Sequence, residues 1–545
     1  MIRPSIGGAL CALASSLLAS TAMAQTAIAQ TAGVQTAPAT DPVAAEPAAD
    51  PVPLSDGVSA GVPATAPRQL RARRNPVSKD QSASAASSPI AESYPNAAIG
   101  DGTTAGGYNQ SRWAEDWSKL RDPAKRKDIV DQLKFIPIAA DGEVYLTLSG
   151  EARLRVNQTT NPNLRDAEAQ RQDILRLFGG ADLHVGEHFR FYGELAHGTL
   201  EGQNLGTALP NLRNKLAVQQ AFVDVTGTVA DVDLGVRYGR QTFADGPNLL
   251  VVPRDNNTLY FGFNGFRAWA RTAGVRADVF DFKPTAYGNG GTQDDNAESD
   301  RRFSGISTGI VMPESLFGGS KLYVDPFLWR LRDRSVTWGA DTAREVRNFY
   351  GLHVWGDAGP VNLDWTVNYQ GGSYDNRSIK AWLILLAQTY KLGEGKNAPR
   401  VGVHADYASG GGAYGTGTLR NSLAPFGNNI YYSYQLFATP TNLIAVAPNF
   451  SFTTLGKLRL TAEYQLSWRD TTSDAVYRAN GSAFAGTQNF GGKKIADTIR
   501  FQAVYPISSR LSFTGRYEHL IAGPALTNAG YKNSDFLAGW ISYRF

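Results

Sequence analysis

The chain has 545 residues, with 53 Lys and Arg against 49 Asp and Glu, a formal net charge of +4. So small an excess over this length gives no basis for nucleic-acid binding. The one cysteine, Cys11, lies in the opening segment, so the rest of the chain has neither a disulfide nor a thiolate metal site.

Residues 1–24 have the layout of a secretory signal peptide. Arg3 supplies the charge, Ile6 to Leu18 the apolar stretch, and Ala22-Met23-Ala24 a small-x-small cleavage site. The apolar stretch is too short, and too broken by Gly, Ser and Cys, for a membrane anchor. From 25 to 112 the chain is rich in Ala, Pro, Thr, Ser and Gly and poor in aromatics. It is expected to be a disordered extension, a tether with the reach to meet a periplasmic partner. The basic run Arg68, Arg71, Arg73 and Arg74 inside it reads as solvated charge. Residues 113–143 turn helix-like and charged, closed by Pro137, and predict a helical lead-in.

From residue 144 to 545 alternation takes over. Val144, Leu146, Leu148, Gly150, Ala152, Leu154 and Val156 share one face, and Thr147, Ser149, Glu151, Arg153 and Arg155 the other. Leu458 to Trp468 and Leu511 to Tyr517 repeat the pattern, with Trp468 and Tyr517 placed for an aromatic girdle. No later apolar run is long enough for a spanning helix; the best, Ala381 to Ala387, is strand-sized. The strands exceed the usual globular length and carry repeated charges on one face. Brief turns at Gly186-Glu187-His188 and Pro506 to Arg510 alternate with long polar stretches, Asn157 to Arg171 and Asp470 to Lys494 among them. Short turns on one side and long loops on the other predict an all-β, transmembrane antiparallel β-barrel in the outer membrane, touching lipid all round. About 400 residues at roughly 10 per tilted strand plus loops allow 16–18 strands. An even number follows if both ends lie on the short-turn side. The last stretch fits: Leu537, Gly539, Ile541, Tyr543 and Phe545 share a phase, so the final strand is expected inside the sheet.

A barrel of this size encloses an aqueous channel. The inward phase offers Arg153, Arg155, Arg176, Arg190, Arg237, Arg459, Arg500 and Arg516, with Glu151, Asp182, Glu194, Asp224, Glu463 and Glu518 among them. Such arginines either concentrate anions in the pore or pair across strands and fix its shape.

Enzymatic chemistry has little footing. There are six histidines; His188 sits in a turn, His197 on the lipid phase and His519 at a strand end. His184 faces inward beside Asp182, but same-strand neighbours pack as readily as they react. The run Gly410 to Gly417 lacks the Lys-Ser/Thr ending of a phosphate loop and reads as a flexible surface loop. Asp294, Asp295, Glu298 and Asp300 lack the spacing of a calcium loop and read as solvated charge. No metal and no cofactor is expected.

Several strings carry a resemblance. They are Trp117-Ser118-Lys119-Leu120-Arg121-Asp122-Pro123, Ser149-Gly150-Glu151-Ala152-Arg153-Leu154-Arg155, and Gln220-Ala221-Phe222-Val223-Asp224 with Tyr238-Gly239-Arg240-Gln241. Further on come Pro253-Arg254-Asp255 leading to Phe263-Asn264-Gly265-Phe266-Arg267, His404-Ala405-Asp406-Tyr407, and Trp468-Arg469-Asp470. In this order they resemble the alginate-export family of outer-membrane β-barrel porins, from about Trp113 onward. The resemblance implies an 18-stranded barrel with an arginine-lined lumen, adding Arg254 and Arg267 to the candidates. It also implies passive passage of an anionic polysaccharide or oligosaccharide, or of a small acid. Asn264, Tyr260 and Phe261 depart from the family's acidic and basic residues at those places. Their aromatic area suits neutral solutes as well, which keeps an uptake porin for small neutral or acidic solutes as the alternative.

Overall fold

The computed structural model describes Tyr94, Tyr108 and residues 110–545, apart from 140–141, 207, 209, 248, 256 and 318–320. The signal peptide and most of the 25–112 extension lie outside the described residues.

Eighteen strands form one closed antiparallel barrel. The first six are β1 (Val144–Thr159), β2 (Gln170–Val185), β3 (Phe189–Glu201), β4 (Asn214–Val229), β5 (Val232–Gln241) and β6 (Phe263–Arg271). The next six are β7 (Val275–Ala286), β8 (Arg301–Val311), β9 (Lys321–Trp338), β10 (Asp341–Ala358), β11 (Val361–Tyr374) and β12 (Arg377–Lys391). The last are β13 (Arg400–Ala408), β14 (Leu443–Thr454), β15 (Leu458–Trp468), β16 (Lys494–Pro506), β17 (Leu511–Ala522) and β18 (Ser534–Arg544). Closure joins β1 to β18, from Glu151↔Arg544 to Thr159↔Phe536. Phe545 continues the ladder: Gly150 N–H donates to its carbonyl at 2.9 Å and its own N–H returns to Gly150 O at 3.1 Å. The Phe545 ring covers Gly150 so closely that a Cβ there would lie 2.4 Å from it. Only glycine lets the ring lie flat across the seam.

Alternation has the expected cause. Along β1 the odd residues from Tyr145 to Asn157 are buried in the lumen, while Leu154 and its phase face out. The same phase puts Tyr464, Phe501, Leu537, Ile541 and Tyr543 on the outside, where lipid covers them. Short connections lie mostly on one side and long ones on the other, although 312–320 and 392–399 on the short-turn side run to nine and eight residues. On the long-loop side, β9 to β10 and β11 to β12 turn in two residues each, 339–340 and 375–376. There the strands themselves lengthen, β9 and β10 to 18 residues, and project beyond the band of outward apolar side chains.

Two long-side loops, 242–262 and 409–442, fold into the lumen. Phe243, Leu250, Val251 and Phe426 from them meet Phe263, Phe280, Phe282, Phe303 and Trp329 from the wall of β6 to β9 in one buried cluster. Burying so many aromatics in contact fixes the loops in place. That half of the lumen is rich in aromatics, and a more polar wall lies across from it, on β1 to β5 and β14 to β18.

The lead-in differs from the helical expectation. Over 113–143 there are single 3-10 turns, Ser118–Arg121, Pro123–Lys125 and Asp131–Leu133, and a short strand Ile136–Ala139 paired with β1. Asp122, Pro123 and Pro137 break the backbone pattern a helix needs, and Trp117, Leu120 and Phe135 pack locally with Tyr145 instead. The glycine run also differs: its tip, 414–417, is exposed, but Gly410 and Gly411 are buried, donating to Asp470 at 3.1 Å and Asp474 at 2.6 Å. Asp295, expected in solvent, is buried and accepts the Val218 N–H at 2.9 Å.

Candidate functional site

The lumen arginines fall into groups according to what they hold. Antiparallel pairing sets Arg153 directly opposite Arg176. The 242–262 loop drops Asp255 between them, 2.9 Å from Arg153 Nη2 and 2.7 Å from Arg176 Nη2. Both guanidinium groups also donate to the Asp255 carbonyl, at 2.9 and 2.6 Å, and Tyr260 Oη donates to its carboxylate at 2.9 Å. Glu151 completes the cluster: it takes Arg176, lies 3.2 Å from Arg153 and accepts from Arg544 at 3.2 Å. All these groups except the half-buried Arg544 are buried, and a buried charge is tolerated only when paired this fully. Arg153 and Arg176 therefore clamp the loop to the wall.

A second group holds the chain's own N-terminal segment. Arg112 enters the lumen and pairs with Glu194 at 2.7 Å and Glu151 at 3.3 Å. Trp113 follows, 3.8 Å under the Arg237 guanidinium, and its carbonyl accepts from Arg190. Arg190 and Arg237 are in turn neutralised by Asp182 at 2.5 Å and Asp224 at 2.7 Å. Across the lumen Tyr94 donates to Asp325 at 2.5 Å, over a glycine, Gly309, whose Cβ would strike its ring.

Arg267 and Arg254 do similar work. Arg267 pairs with Asp278 at 2.7 Å, and its neighbour Arg276 reaches Asp278 and, at 2.6 Å, Asp245 of the inner loop. Arg254, with φ of 59°, donates to Gly427 O at 2.7 Å and so ties the two inner loops together. Arg459 lies half-buried on the inward face of β15 near its short-turn end.

Arg155 belongs to a different arrangement, which it shares with Arg500 and Arg516. Arg155 and Arg516 lie 5.2 and 4.9 Å over the Trp540 ring, and Arg516 and Arg500 lie 4.8 and 5.3 Å over Tyr434. Arg155 donates to Asn157 at 2.6 Å, Arg516 to Gln502 at 2.8 Å, and Arg500 to the carbonyls of Ile430 and Tyr431 at 2.7 Å and to the carboxylate of Glu463, its ion-pair partner. Glu518 anchors the same stretch of the 409–442 loop through Ser433 at 2.7 Å and Gln435 at 3.1 Å. The result is a wall in which planar cations alternate with aromatic faces.

At the short-turn mouth, Lys134 is buried, donating to Leu148 O at 2.8 Å, 3.7 Å from Glu115. Burial pulls its ammonium down to about 8, against the opposing pull of Glu115. Arg510, in the turn between β16 and β17, ties the lead-in to the barrel through Asp128 at 2.6 Å and Asp131 at 3.0 Å. Its hydrogen bonds hold the Asp128 carboxyl below its ordinary range.

Several of these groups have no signal in alternation. Asp255 and Tyr434 lie on loops without period, and Arg112 lies in a stretch that reads as extension. The apolar run Leu249-Leu250-Val251-Val252 marks the first inner loop as buried, since a solvent loop has no use for it.

Comparison with known proteins follows the geometry. Among solved structures, Pseudomonas aeruginosa OccD3 (OpdP) superposes with a TM-score of 0.48 at 14% identity, over 73% of this chain and 91% of that one. Pseudomonas aeruginosa OccK5 (OpdH) gives 0.47 at 12% identity, covering 73% and 98%. Pseudomonas aeruginosa OccK2 (OpdF), solved in complex with glucuronate, gives 0.44 at 12% identity, covering 77% and 99%. No curated protein matches the chain. The family profile described as alginate export matches residues 144–539, the barrel almost from end to end. The chain belongs to the alginate-export family of outer-membrane β-barrel porins.

Proposed function

We propose that this outer-membrane channel passes an anionic saccharide, of polyuronate type, by passive diffusion down its gradient. The observation that carries this reading is the wall of Arg155, Arg500 and Arg516 interleaved with Trp540 and Tyr434. A guanidinium keeps its charge at any working pH and offers carboxylate a planar fork. Aromatic faces take the apolar side of a sugar ring, so the pair matches both halves of a uronate. No side chain in this reading forms or breaks a covalent bond, and neither cofactor nor metal takes part. Residues 1–24 serve as the secretory signal, and the extension from 25 up to Tyr94, beyond which Tyr94 and Arg112 are held in the lumen, as a tether toward a periplasmic partner.

The alternative, uptake of small neutral or acidic solutes, draws on the neutralisation of Arg153 and Arg176 by Glu151 and Asp255, which leaves that level with little net charge. Single-channel recording with uronate oligomers separates the two. Wild type is expected to be blocked by uronate oligomers and much less by neutral oligosaccharides of equal length. The R155A/R516A variant should need about tenfold more uronate for the same block, the scale of one or two lost charge-assisted contacts. Equal block by neutral sugars in wild type selects the alternative.

A further inference from the structure

The outer face of the barrel is not uniform around its girth. On the long-loop side, strands β7 to β12 present Lys283, Arg302, Arg330, Arg332, Arg344 and Lys380 outward, all exposed. The acids on this side are Asp281, which takes Arg302, Asp300, which takes Arg334 at 2.9 Å, and the exposed Asp341 and Asp375, fewer than the cations. Arg330, Arg332, Arg344 and Lys380 make no ion pair among the described residues. Across the barrel the same level is balanced: Arg171 meets Asp173 at 3.1 Å, Lys494 meets Asp497 at 2.6 Å, and His519 meets Asp535 at 2.8 Å. The cationic excess is local.

Its register is what makes it a site. Leu328, Tyr350, Tyr369 and Trp382 are cross-strand partners and form one outward row, with Tyr369 and Trp382 rings 5.0 Å apart. Two residues further out, the next row reads Arg330, Asn348, Gly371, Lys380. Asn348 and Gly371 are the short residues between two long cationic arms, whose Cα atoms are roughly 14 Å apart at ordinary strand spacing, and they leave a notch floored by the Tyr369 ring, which lies against the buried Gly371. Beyond it come Arg332, Val346, Ser373 and Ser378, partners in the same way, with Arg302 opposite Arg332. Below the aromatic row Leu352, Val367 and Ile384 continue the apolar surface toward the short-turn side. An aromatic row marks the membrane–water boundary, so the notch stands at the depth of the outer-leaflet headgroups.

We propose that this notch docks the phosphate of an acylated, phosphorylated glycolipid of the outer leaflet. Arg330 and Lys380 hold the phosphate, Arg332 a second anionic group, and the acyl chains lie on Leu352, Val367 and Ile384. Guanidinium and ammonium attract such headgroups most strongly just above the apolar boundary.

The test uses the full chain folded in nonionic detergent and titrated with bisphosphorylated lipid A, its dephosphorylated counterpart, inorganic phosphate, or a soluble polyuronate. Bound species are counted by native mass spectrometry, with the heat-modifiable gel shift of a folded barrel as the folding control. Wild type is expected to retain the bisphosphorylated lipid at least tenfold more tightly than the dephosphorylated one. R330S/K380S should lose at least that factor, while R171S/K215S on the opposite wall binds as wild type does. Should the double variant fail to fold, R330S alone, at least threefold weaker, decides the matter. Equal binding of the two lipids, equal loss in the opposite-wall variant, or retention by R330S/K380S overturns the proposal. Competition by polyuronate without lipid binding overturns it too, since the notch would then serve a soluble polyanion.

Discussion

Inward arginines do not share one role, and alternation alone cannot separate those roles. A period of 2 puts Arg153, Arg155, Arg176 and Arg237 in the lumen, and each is there. What each one touches depends on residues hundreds of positions away, such as Asp255 for Arg153 and Trp540 for Arg155. Lys134 shows the same dependence, and it carries a pH signature. Its folded pKa of about 8 lies below the ordinary lysine range near 10.4, so between those values the unfolded chain binds more protons. Stability then rises with pH across that window, and below about 8 the buried charge weakens the docked lead-in. The thermal midpoint of wild type relative to K134M is expected to increase from pH 8 to pH 10, and a constant difference would show that Lys134 titrates normally.

At the scale of elements, strands were far more legible than what fills them. The hairpins at 186–188 and 507–510 stand where turn residues interrupt the alternation. The inner loops were not legible as such, because a loop buried in a lumen has neither strand period nor solvent-loop composition. Leu249 to Val252 looks like a short strand and is instead the buried part of the 242–262 loop. Arg153, Arg176 and Tyr260 all converge on Asp255 of that loop, so D255A removes the charge that justifies two buried cations. Breaking a buried pair in this way costs about 3 kcal/mol or more, enough to release the loop from the wall. Single-channel records of D255A are expected to show larger and noisier openings than wild type. Unchanged conductance would mean the aromatic cluster alone holds the loop. Residues 110–113 act on the other mouth. W113A combined with R112A leaves Glu194, Arg190 and Arg237 without their lumen partner, and should raise unitary conductance by a factor of about 2 if this segment narrows the pore. No rise would place the narrowest point at the two inner loops.

On the scale of the whole molecule, one seam and one asymmetry organise the rest. The seam at Gly150 and Phe545 closes the sheet and leaves no edge in lipid. The asymmetry divides the lumen into an aromatic half that anchors loops and a polar half that carries Arg155, Arg500 and Arg516. Closure, a range of 16–18 strands and the membrane follow from patterning that local physics imposes on every strand. Cargo does not, because it depends on how side chains from four strands and a loop meet in space. The central claim is that the polar half selects anions. Reversal potential in a tenfold salt gradient tests it most directly, with the purified chain in a neutral bilayer. Anion selectivity in wild type, weakened in R155A/R516A, is the result predicted here; cation selectivity, or the same potential in both proteins, would contradict it.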